Sequence, residues 1–212
     1  MFVHELVGSE SHPIYESLSV ENLDRQYAFL RSVVTASLAL GRPMLSLEII
    51  RALNYHAIGI LHPYAGEFRP CRVEVGPYVP PAHFLVPGLM EMFVDEVNRG
   101  WDKVDPVNLC AYVLWKLNSI HPFVNGNGRT ARASAYYVLC LKLGGLLAGD
   151  PIMPALIKEN RDEYVVALKA ADASVAAGAL NLSVLHAFLS RLLDQQIKSA
   201  ENSAKPDDGQ RR

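Results

Sequence analysis

The chain lacks an excess of charge of either sign. Its 212 residues include 20 lysines and arginines against 22 aspartates and glutamates, which gives a formal net charge of −2 at pH 7. Proteins that bind nucleic acid or an anionic membrane over a broad surface usually carry a clear positive excess. The balance therefore predicts no nucleic-acid partner and no membrane partner, and it leaves room only for a small local group of cations.

Cysteine is scarce, and long apolar runs are missing. Cys71, Cys110 and Cys140 are widely spaced and form no C-x-x-C pair, so neither a disulfide framework nor a zinc knuckle is expected. No stretch is apolar over the length that a bilayer requires, and the N-terminus has no basic region followed by an apolar run. We interpret the cysteines as buried apolar residues and expect a cytoplasmic protein.

Half of the residues are hydrophobic, and most of the chain shows helical periodicity. Ser19 is expected to cap a first helix over residues 20–40, and Ser46 precedes a second helix that reaches about Leu61. Further helical patterns cover residues 87–98, 107–120, 128–143, 154–158, 161–173 and 182–198. We therefore predict a single all-α domain around one sizeable core.

A short extended segment interrupts the helices. Residues 72–75 alternate polar and apolar side chains as a strand does, and Gly76-Pro77 and Pro80-Pro81 bracket a turn into a returning segment. Since proline cannot donate to a ladder, one edge of this predicted β-hairpin should stay open. The tail of residues 199–212 is polar and is predicted to be disordered.

The most informative stretch is Ile120–Arg132, which reads I-H-P-F-V-N-G-N-G-R-T-A-R. One predicted helix delivers His121 at its C-terminal end, and a glycine-rich turn leads into the next helix. Gly126 and Gly128 permit positive φ angles and a close approach of the backbone to a ligand. The N–H groups and the dipole at the start of the following helix then form a nest suited to phosphate.

Four side chains extend this interpretation. Arg129 and Arg132 lie three residues apart in the first turn of that helix, and two guanidinium groups suit a polyphosphate. His121 is of the residue type that best accepts a proton from a hydroxyl near neutral pH. The amide oxygen of Asn125 could reach a metal ion held between phosphates.

A plainer interpretation of the same stretch stays open. A Gly-Asn-Gly sequence between helices is often only a turn, and a histidine at a helix end often only caps carbonyl groups. The stretch is not a Walker loop, because the G-x-x-x-x-G-K-[ST] spacing is absent.

Residues 121–129 resemble the signature of the Fic family (filamentation induced by cAMP; Fic/Doc-type protein-modifying transferases), H-P-F-x-[D/E]-G-N-[G/K]-R. Eight of the nine positions fit, and Arg132 matches a second arginine often found three residues later. The resemblance extends roughly from Leu45 to Leu193. It implies a Fic-type helical bundle with a small β-hairpin flap. It also implies a protein adenylyltransferase that moves AMP from ATP to a Ser, Thr or Tyr hydroxyl of a target protein, with Mg²⁺ as cofactor.

The resemblance implies roles for single residues as well. His121 takes the proton from the target hydroxyl. Phosphate and ATP binding is implied for Gly126, Asn127, Gly128, Arg129 and Arg132. Asn125 replaces the family's metal-binding acid, so it is expected to be a weak metal ligand that relies on the ATP phosphates.

Two further sets of residues follow from the same resemblance. Tyr164 and Asp172 are expected to border the nucleoside. The target-docking flap is expected to present an edge formed by Cys71, Arg72, Val73, Glu74 and Val75.

An inhibitory helix is a further implication. Ser17, Glu21 and Asn22 fit the family's pattern [S/T]-x-x-x-E-[G/N], in which Glu21 would pair with Arg132 and disturb the γ-phosphate site. The alternative is an ordinary helix start, with Ser19 as N-cap and Glu21 as a favourable first-turn acid.

The predicted organisation has three parts: an N-terminal segment, 1–44, with the inhibitory helix; a Fic core, 45–198; and the tail, 199–212. The expected partners are ATP and a protein hydroxyl group, while self-modification and a homo-oligomer stay open. Two other functions also stay open. One is a nucleotide-binding Fic scaffold with little transferase activity, and the other is a Fic transferase that uses another nucleotide-linked donor.

Overall fold

The computed structural model describes residues 1–203, and the chain divides into two compact units, Met1–Gly145 and Leu146–Arg212. The first unit contains α1 (Val3–Val7), α2 (Pro13–Ala39), α3 (Leu47–Ile58), α4 (Val86–Gly100), α5 (Pro106–Ile120) and α6 (Asn127–Lys142). A 3-10 turn at His83–Leu85 leads into α4. The second unit contains α7 (Met153–Glu159), α8 (Arg161–Ala176) and α9 (Ser183–Ser203).

The central helix of the first unit is α6. It packs against α2, α3 and α5, and most of its side chains are buried. Ala131, Ala133 and Ala135 are fully buried, and such small side chains let the neighbouring helices approach the backbone of α6 closely. Because α6 is enclosed in this way, its first turn, where the candidate site lies, is firmly held.

The start of α5 is defined by its sequence. Pro106 occupies the first turn, and the carboxylate of Asp105 accepts hydrogen bonds from the N–H groups of Val107 and Asn108 at 3.1 and 3.0 Å. The helix then runs to Ile120, so that His121 directly precedes the loop into α6.

The second unit has its own small core. Phe188, Leu189 and Leu192 of α9 are buried, and α9 packs against α7 and α8. The side-chain oxygen of the buried Gln196 accepts a hydrogen bond from the N–H of Met153 at 2.7 Å, which caps the start of α7. The core of this unit therefore combines apolar packing with one satisfied polar group.

The structure confirms the all-α fold class but differs at the predicted β-hairpin. Within residues 1–203 no β-strand forms, and residues 72–75 contribute only a single antiparallel bridge, between Val75 and Tyr78. Prolines on both sides of the turn leave too few N–H donors for a ladder, so the predicted strand was wrong. Side chains hold this segment instead.

Two predicted boundaries were also wrong. Helix α2 begins at Pro13, where the Nδ1 of His12 accepts a hydrogen bond from Ile14 at 3.3 Å, so Ser19 lies inside the helix and does not cap it. Proline at the first helical position, preceded by a capping side chain, is the stronger start signal. At the other end, α9 continues to Ser203, so residues 199–203 are helical. The rest of the predicted disordered tail lies outside the described residues.

The division at Gly145 falls inside the predicted core of residues 45–198, and the predicted domain boundaries stay predictions. In the described part of the chain, no helix combines the length and the apolar character needed to cross a membrane.

Candidate active site

His121 lies where α5 ends and the loop begins. Its N–H still donates to the carbonyl of Leu117 at 3.0 Å, but its φ of 51° and ψ of 60° are left-handed and turn the chain out of the helix. Such a conformation costs a non-glycine residue of order 1–3 kcal/mol and persists only where the surroundings enforce it. The surrounding structure thus holds His121 in the left-handed conformation at the start of the loop.

Asn127 closes the loop through its side chain. Its Oδ1 accepts a hydrogen bond from the N–H of Phe123 at 2.9 Å, and its Nδ2 donates to the carbonyl of Phe123 at 2.8 Å. Both side chains are buried, and Phe123 is fully so. The amide of Asn127 is therefore used to shape the loop, and only its backbone N–H, at the start of α6, remains for the predicted phosphate role.

The loop is tied to α3 by Asn54. The Nδ2 of this buried residue donates to the carbonyl of Asn125 at 3.0 Å and to the hydroxyl of Thr130 at 3.1 Å. Its Oδ1 accepts a hydrogen bond from Gly66 at 2.9 Å. One side chain therefore connects the motif loop, the first turn of α6 and the segment that leads into the flap.

The first turn of α6 provides the predicted anion nest. Gly126 precedes the helix with a φ of 74°, and no side chain of the described residues caps the turn. Thr130 is the first residue whose N–H bonds back along the helix, to Gly126 at 2.9 Å, so the N–H groups of residues 127–129 lie at the positive end of the helix dipole. This is the arrangement that binds phosphate in other proteins.

Glycine is required at position 126 for a second reason. A Cβ atom there would lie 2.6 Å from Cγ2 of Ile58 and 3.1 Å from Nδ2 of Asn54. The loop can therefore approach α3 this closely only with glycine at that position.

The surroundings of His121 favour its neutral form. Its pKa is lowered from 6.5 to about 4, first by burial and then by the positive charge of Arg69, while a hydrogen bond from the ring to the carbonyl of Asn118 acts in the opposite direction. At pH 7 one ring nitrogen thus carries the proton donated to Asn118, and the other can accept a proton. This is the electrostatic state that a general base requires.

The two predicted arginines lie where α6 faces α2. The Nη1 of Arg129 donates to the hydroxyl of Ser19 at 3.0 Å and to the carbonyl of Ala57 at 2.9 Å. The Nη1 of Arg132 lies beside the first turn of α6, 3.4 Å from the position that a Cβ atom on Gly128 would take. Both cations are therefore close to the nest.

Asn125, the predicted metal ligand, is hydrogen bonded at both ends. Its Oδ1 accepts from Nη2 of Arg129 at 3.3 Å, and its Nδ2 donates to a carboxylate oxygen of Glu10 at 2.8 Å. The same oxygen of Glu10 lies 3.4 Å from Nε2 of His62. The structure therefore brings an acid from the N-terminal segment to the loop position that lacks one.

The predicted flap residues, Cys71 to Val75, form a largely exposed segment without a ladder. Tyr78 ties this segment to the end of α5, because its hydroxyl donates to the carbonyl of Ser119 at 2.6 Å. Target docking at this segment stays a prediction.

The predicted inhibitory residues lie on α2. Ser17 is exposed, and the carboxylate of Glu21 lies 3.1 Å from Nη2 of Arg25, one turn along the helix. Asn22 is buried, and its Nδ2 donates to the carbonyl of Gly59 at 2.9 Å. The pair of Glu21 with Arg132 stays a prediction, whereas Ser19 and Tyr15 of α2 both contact the motif arginine Arg129.

The predicted nucleoside residues belong to the second unit. Tyr164 and Asp172 both lie on α8, and the ring of the buried Tyr164 stacks on Phe188 with a centroid distance of 6.1 Å. Their role at a nucleoside stays a prediction.

Sequence reasoning assigned no individual role to three polar residues that organise the site: Glu10, Asn54 and Arg69. Asn54 was detectable, because it interrupts the apolar stripe of α3 at a position that faces the core. Glu10 and Arg69 carry no such signal, since both lie outside regular elements and act through long-range contacts.

Comparison with known proteins shows which family this chain is similar to. The sequence model described as Fic/DOC family matches residues 44–139. The protein adenylyltransferase Fic of Drosophila willistoni is 36% identical over 131 residues, which are 60% of this chain and 25% of that protein. The protein of the same name from Drosophila virilis is 37% identical over 131 residues, with the same coverage. The chain thus spans about a quarter of the length of these curated relatives.

Solved structures share the fold. Fic-1 (residues 134–508) from C. elegans superposes with a TM-score of 0.72 at 23% identity, covering 92% of this chain and 54% of that chain. A Fic-domain-containing signalling protein from Bacteroides thetaiotaomicron gives a TM-score of 0.67 at 22% identity, covering 94% of this chain and 79% of that chain. The helical architecture around the loop is therefore that of Fic proteins.

Proposed function

We propose, from the premise that residues 44–139 of this chain form a domain of the Fic/DOC family, that the chain transfers AMP from ATP to a hydroxyl group of a protein target. The observation that carries the proposal is the position and state of His121. An uncharged imidazole lies at the mouth of the loop that leads into the N-terminal turn of α6. The name protein adenylyltransferase of the Drosophila relatives supports the same chemistry for this chain.

In this reaction the second ring nitrogen of His121 takes the proton from a Ser, Thr or Tyr hydroxyl of the target. The hydroxyl oxygen bonds to the α-phosphorus, the bond from that phosphorus to the oxygen bridging it to the β-phosphate breaks, and pyrophosphate leaves. The N–H groups at the start of α6, those of residues 127–129 together with that of Gly126, bind the phosphate oxygens, while Arg129 and Arg132 hold the outer phosphates. The protein supplies positioning and charge stabilisation.

Magnesium fits this site as a companion of ATP. In the described part of the chain, no three His, Cys, Asp or Glu side chains come together to hold a metal ion. The loop offers the amide oxygen of Asn125, and Glu10 adds a carboxylate beside it. Both are hard oxygen ligands of the kind that Mg²⁺ prefers, but an octahedral ion would take most of its ligands from phosphate and water. The ion would neutralise part of the phosphate charge.

The finer assignments belong to the same proposal. The exposed segment of residues 71–75 docks an extended stretch of the target through main-chain hydrogen bonds. Tyr164 and Asp172 border the nucleoside, and Ser17, Glu21 and Asn22 belong to an N-terminal brake. The reaction takes place in the cytoplasm, which agrees with three cysteines that are all free.

One observation favours a second candidate function, a nucleotide-binding scaffold with little transferase activity. Position 125 carries an amide instead of a carboxylate, and Arg129 is engaged by Ser19, Ala57 and Asn125. Weak metal binding and an occupied arginine would both leave the phosphate charge less well neutralised, and this would slow the transfer step.

Labelled ATP separates the two candidates. The purified chain is incubated with Mg²⁺, protein extracts and ATP that is labelled on either the α- or the γ-phosphate. Transfer of the α-label alone, lost in His121→Ala and kept in the exposed-histidine control His83→Ala, is the expected result. The general base contributes about a hundredfold to ten-thousandfold in rate, while ATP affinity in His121→Ala should stay near that of the wild type. ATP binding with no transfer of the α-label to any protein would support the scaffold.

A further inference from the structure

Arg69 is a buried cation whose hydrogen-bond partners are backbone carbonyl groups. Only 2% of its surface is exposed. Its Nε donates to the carbonyl of His121 at 2.7 Å, its Nη1 donates to the carbonyl of Cys71 at 3.1 Å, and its Nη2 donates to the carbonyl of Pro81. Arginine is almost never buried to this degree without compensation, so the three carbonyl groups must stabilise it.

These three acceptors join two parts of the site. The carbonyl of His121 belongs to the end of α5, next to the candidate base. Cys71 and Pro81 are the two ends of the segment of residues 71–81, which includes residues 71–75 that are predicted to dock the target. The backbone of Arg69 adds a fourth link, because its N–H donates to the carbonyl of Pro122 at 2.9 Å. A single residue thus holds both ends of the segment against the residue that acts on the target.

The end of α5 is a suitable place for such an attachment. The last carbonyl groups of a helix lack intrahelical partners, and positive charge is favourable near them. Tyr78 uses the same property, since its hydroxyl donates to the carbonyl of Ser119 at 2.6 Å. The segment is therefore fixed at its middle by Tyr78 and at its ends by Arg69.

We propose that Arg69 is a positioning residue that fixes the segment of residues 71–81 relative to His121, and so sets the distance between a docked target hydroxyl and the base. This inference rests on the proposed function, because the base and the docked hydroxyl are defined by it. The planar fork of the guanidinium is essential, since an ammonium group cannot present the same set of donors to three separate carbonyl groups.

The charge of Arg69 supports the same role. After burial, this charge is the largest cause of the lowered pKa of His121, and the hydrogen bond to the carbonyl of Asn118 acts in the opposite direction. A residue that positions the base therefore also helps to keep it uncharged.

The test compares Arg69→Lys, Arg69→Met and the matched control Arg51→Lys. Arg51 also binds a loop carbonyl of this region, that of Gly66 at 2.8 Å, but its described contacts do not include His121 or residues 71–81. For Arg69→Lys we expect kcat/KM for a protein target to fall at least about tenfold, with an ATP Kd within about threefold of wild type. Arg51→Lys should keep both quantities near their wild-type values.

Two readouts do not depend on transfer, so they remain informative if the proposed function fails. Hydrogen exchange of the amides in residues 71–81, including that of Tyr78, should accelerate at least about tenfold in both Arg69 variants and stay unchanged in Arg51→Lys. The NMR titration of the His121 ring should keep a low pKa in Arg69→Lys, which retains the charge, and shift upward in Arg69→Met.

The results that would overturn the proposal are distinct. Unchanged exchange of residues 71–81 in folded Arg69 variants would show that Arg69 does not hold the segment. A loss of ATP binding in parallel with transfer would assign Arg69 a purely structural role, and so would failure of both variants to fold. If the wild type transfers no AMP while exchange and titration behave as expected, the positioning contact stands and the proposed function falls.

Discussion

The side-chain amide of Asn125 donates a hydrogen bond to the carboxylate of Glu10 at 2.8 Å. The signature that this loop resembles has an acid at position 125, and the structure places a carboxylate from a distant part of the chain beside the amide that replaces it. The N-terminal segment is held there by its backbone, since the N–H groups of Val3 and His4 donate to the carbonyls of Ile60 and Leu61 at 3.0 and 3.1 Å. The charge missing from the loop is therefore present next to it.

This pair makes Asn125→Asp an informative substitution. The new carboxylate would face that of Glu10, and two like charges at this distance repel each other unless a cation binds between them. We expect Asn125→Asp to bind Mg²⁺ more tightly, to be more active at limiting Mg²⁺ and to have a lower Tm without Mg²⁺. Combining it with Glu10→Gln should restore the Tm. The measurement is thermal unfolding and transfer across a Mg²⁺ series, and an identical Mg²⁺ dependence of variant and wild type would exclude Asn125 as a ligand.

Gly126 offers a test of the loop geometry. Gly126→Ala introduces a Cβ that meets Ile58 at 2.6 Å and places a side chain at a φ of +74°, so the loop must move away from α3. We expect a loss of stability of at least about 1 kcal/mol together with weaker ATP binding. Gly88→Ala is the matched control, because this glycine lies in α4 with no atom within 4 Å of the added Cβ. The control should gain up to about 1 kcal/mol by its better helix propensity. Urea unfolding measures the free energy of unfolding of both variants. An equal change in the two variants would contradict the close approach of Gly126 to α3.

The burial of His121 should make the stability of the folded chain depend on pH in the acidic range. Its pKa is about 4 in the folded chain and 6.5 ordinarily, because burial and then the charge of Arg69 lower it. Between these values the unfolded chain binds the additional proton, so stability is complete above pH 6.5 and is lost as the pH falls toward 4. The lowered pKa values of His56 and His62, both caused first by burial, act in the same direction.

We therefore expect the Tm to fall between pH 6.5 and 4, and to fall less in His121→Gln than in the exposed-residue control His83→Gln. In the pH profile of kcat/KM, the acidic limb should have an apparent pKa well below 6.5, because His121 stays neutral at pH values well below 6.5. An acidic limb centred at 6.5 would mean that His121 is solvated in the active state.

The sequence predicted the helices and the motif loop because both depend on local signals. Apolar periodicity located α3, α5 and α6, and the glycines at 126 and 128 located the turn between two helices. The start of α2 was misplaced because a serine inside the helix looked like a cap, while His12 is an unusual capping residue.

What could not be predicted depends on contacts between distant residues. Glu10 and Asn125 are 115 positions apart, and Arg69 and His121 are 52 apart. A single sequence gives no signal for such pairs. The prediction of a strand at residues 72–75 was wrong for a related reason. Alternation of polar and apolar side chains predicts a strand only where a partner strand can donate and accept backbone hydrogen bonds. Here the side chains of Arg69 and Tyr78 hold the segment instead.

The last prediction concerns the N-terminal brake on α2. Glu21 lies well inside the helix and not in its first turn, so the interpretation of Glu21 as a favourable first-turn acid no longer applies. In this structure its carboxylate pairs with Arg25 at the surface, with 53% of each side chain exposed. Such an exposed pair contributes at most about 1 kcal/mol, so a modest rearrangement could bring Glu21 to Arg132 instead.

If Glu21 is the brake, its removal and the removal of Arg25 should act in opposite directions. Glu21→Ala should increase AMP labelling at low ATP, because Arg132 becomes available to the γ-phosphate. Arg25→Ala frees the carboxylate of Glu21 and should decrease labelling. Alanine is preferred to glycine here, since glycine inside a helix would itself cost about 1 kcal/mol of stability. A coupling of about 1.4 kcal/mol would change the competent population tenfold when that population is small.

Ser19→Ala is the matched comparison, because the hydroxyl of Ser19, also on α2, accepts a hydrogen bond from Arg129. If α2 restrains the site through Ser19 rather than through Glu21, labelling rises in Ser19→Ala and stays unchanged in both Glu21→Ala and Arg25→Ala. Labelling and Tm of the three variants are measured beside wild type over one ATP series. An increase in labelling confined to Ser19→Ala would show that α2 restrains Arg129 and not Arg132. No gain in any variant would remove the brake and leave α2 as a structural neighbour of α6.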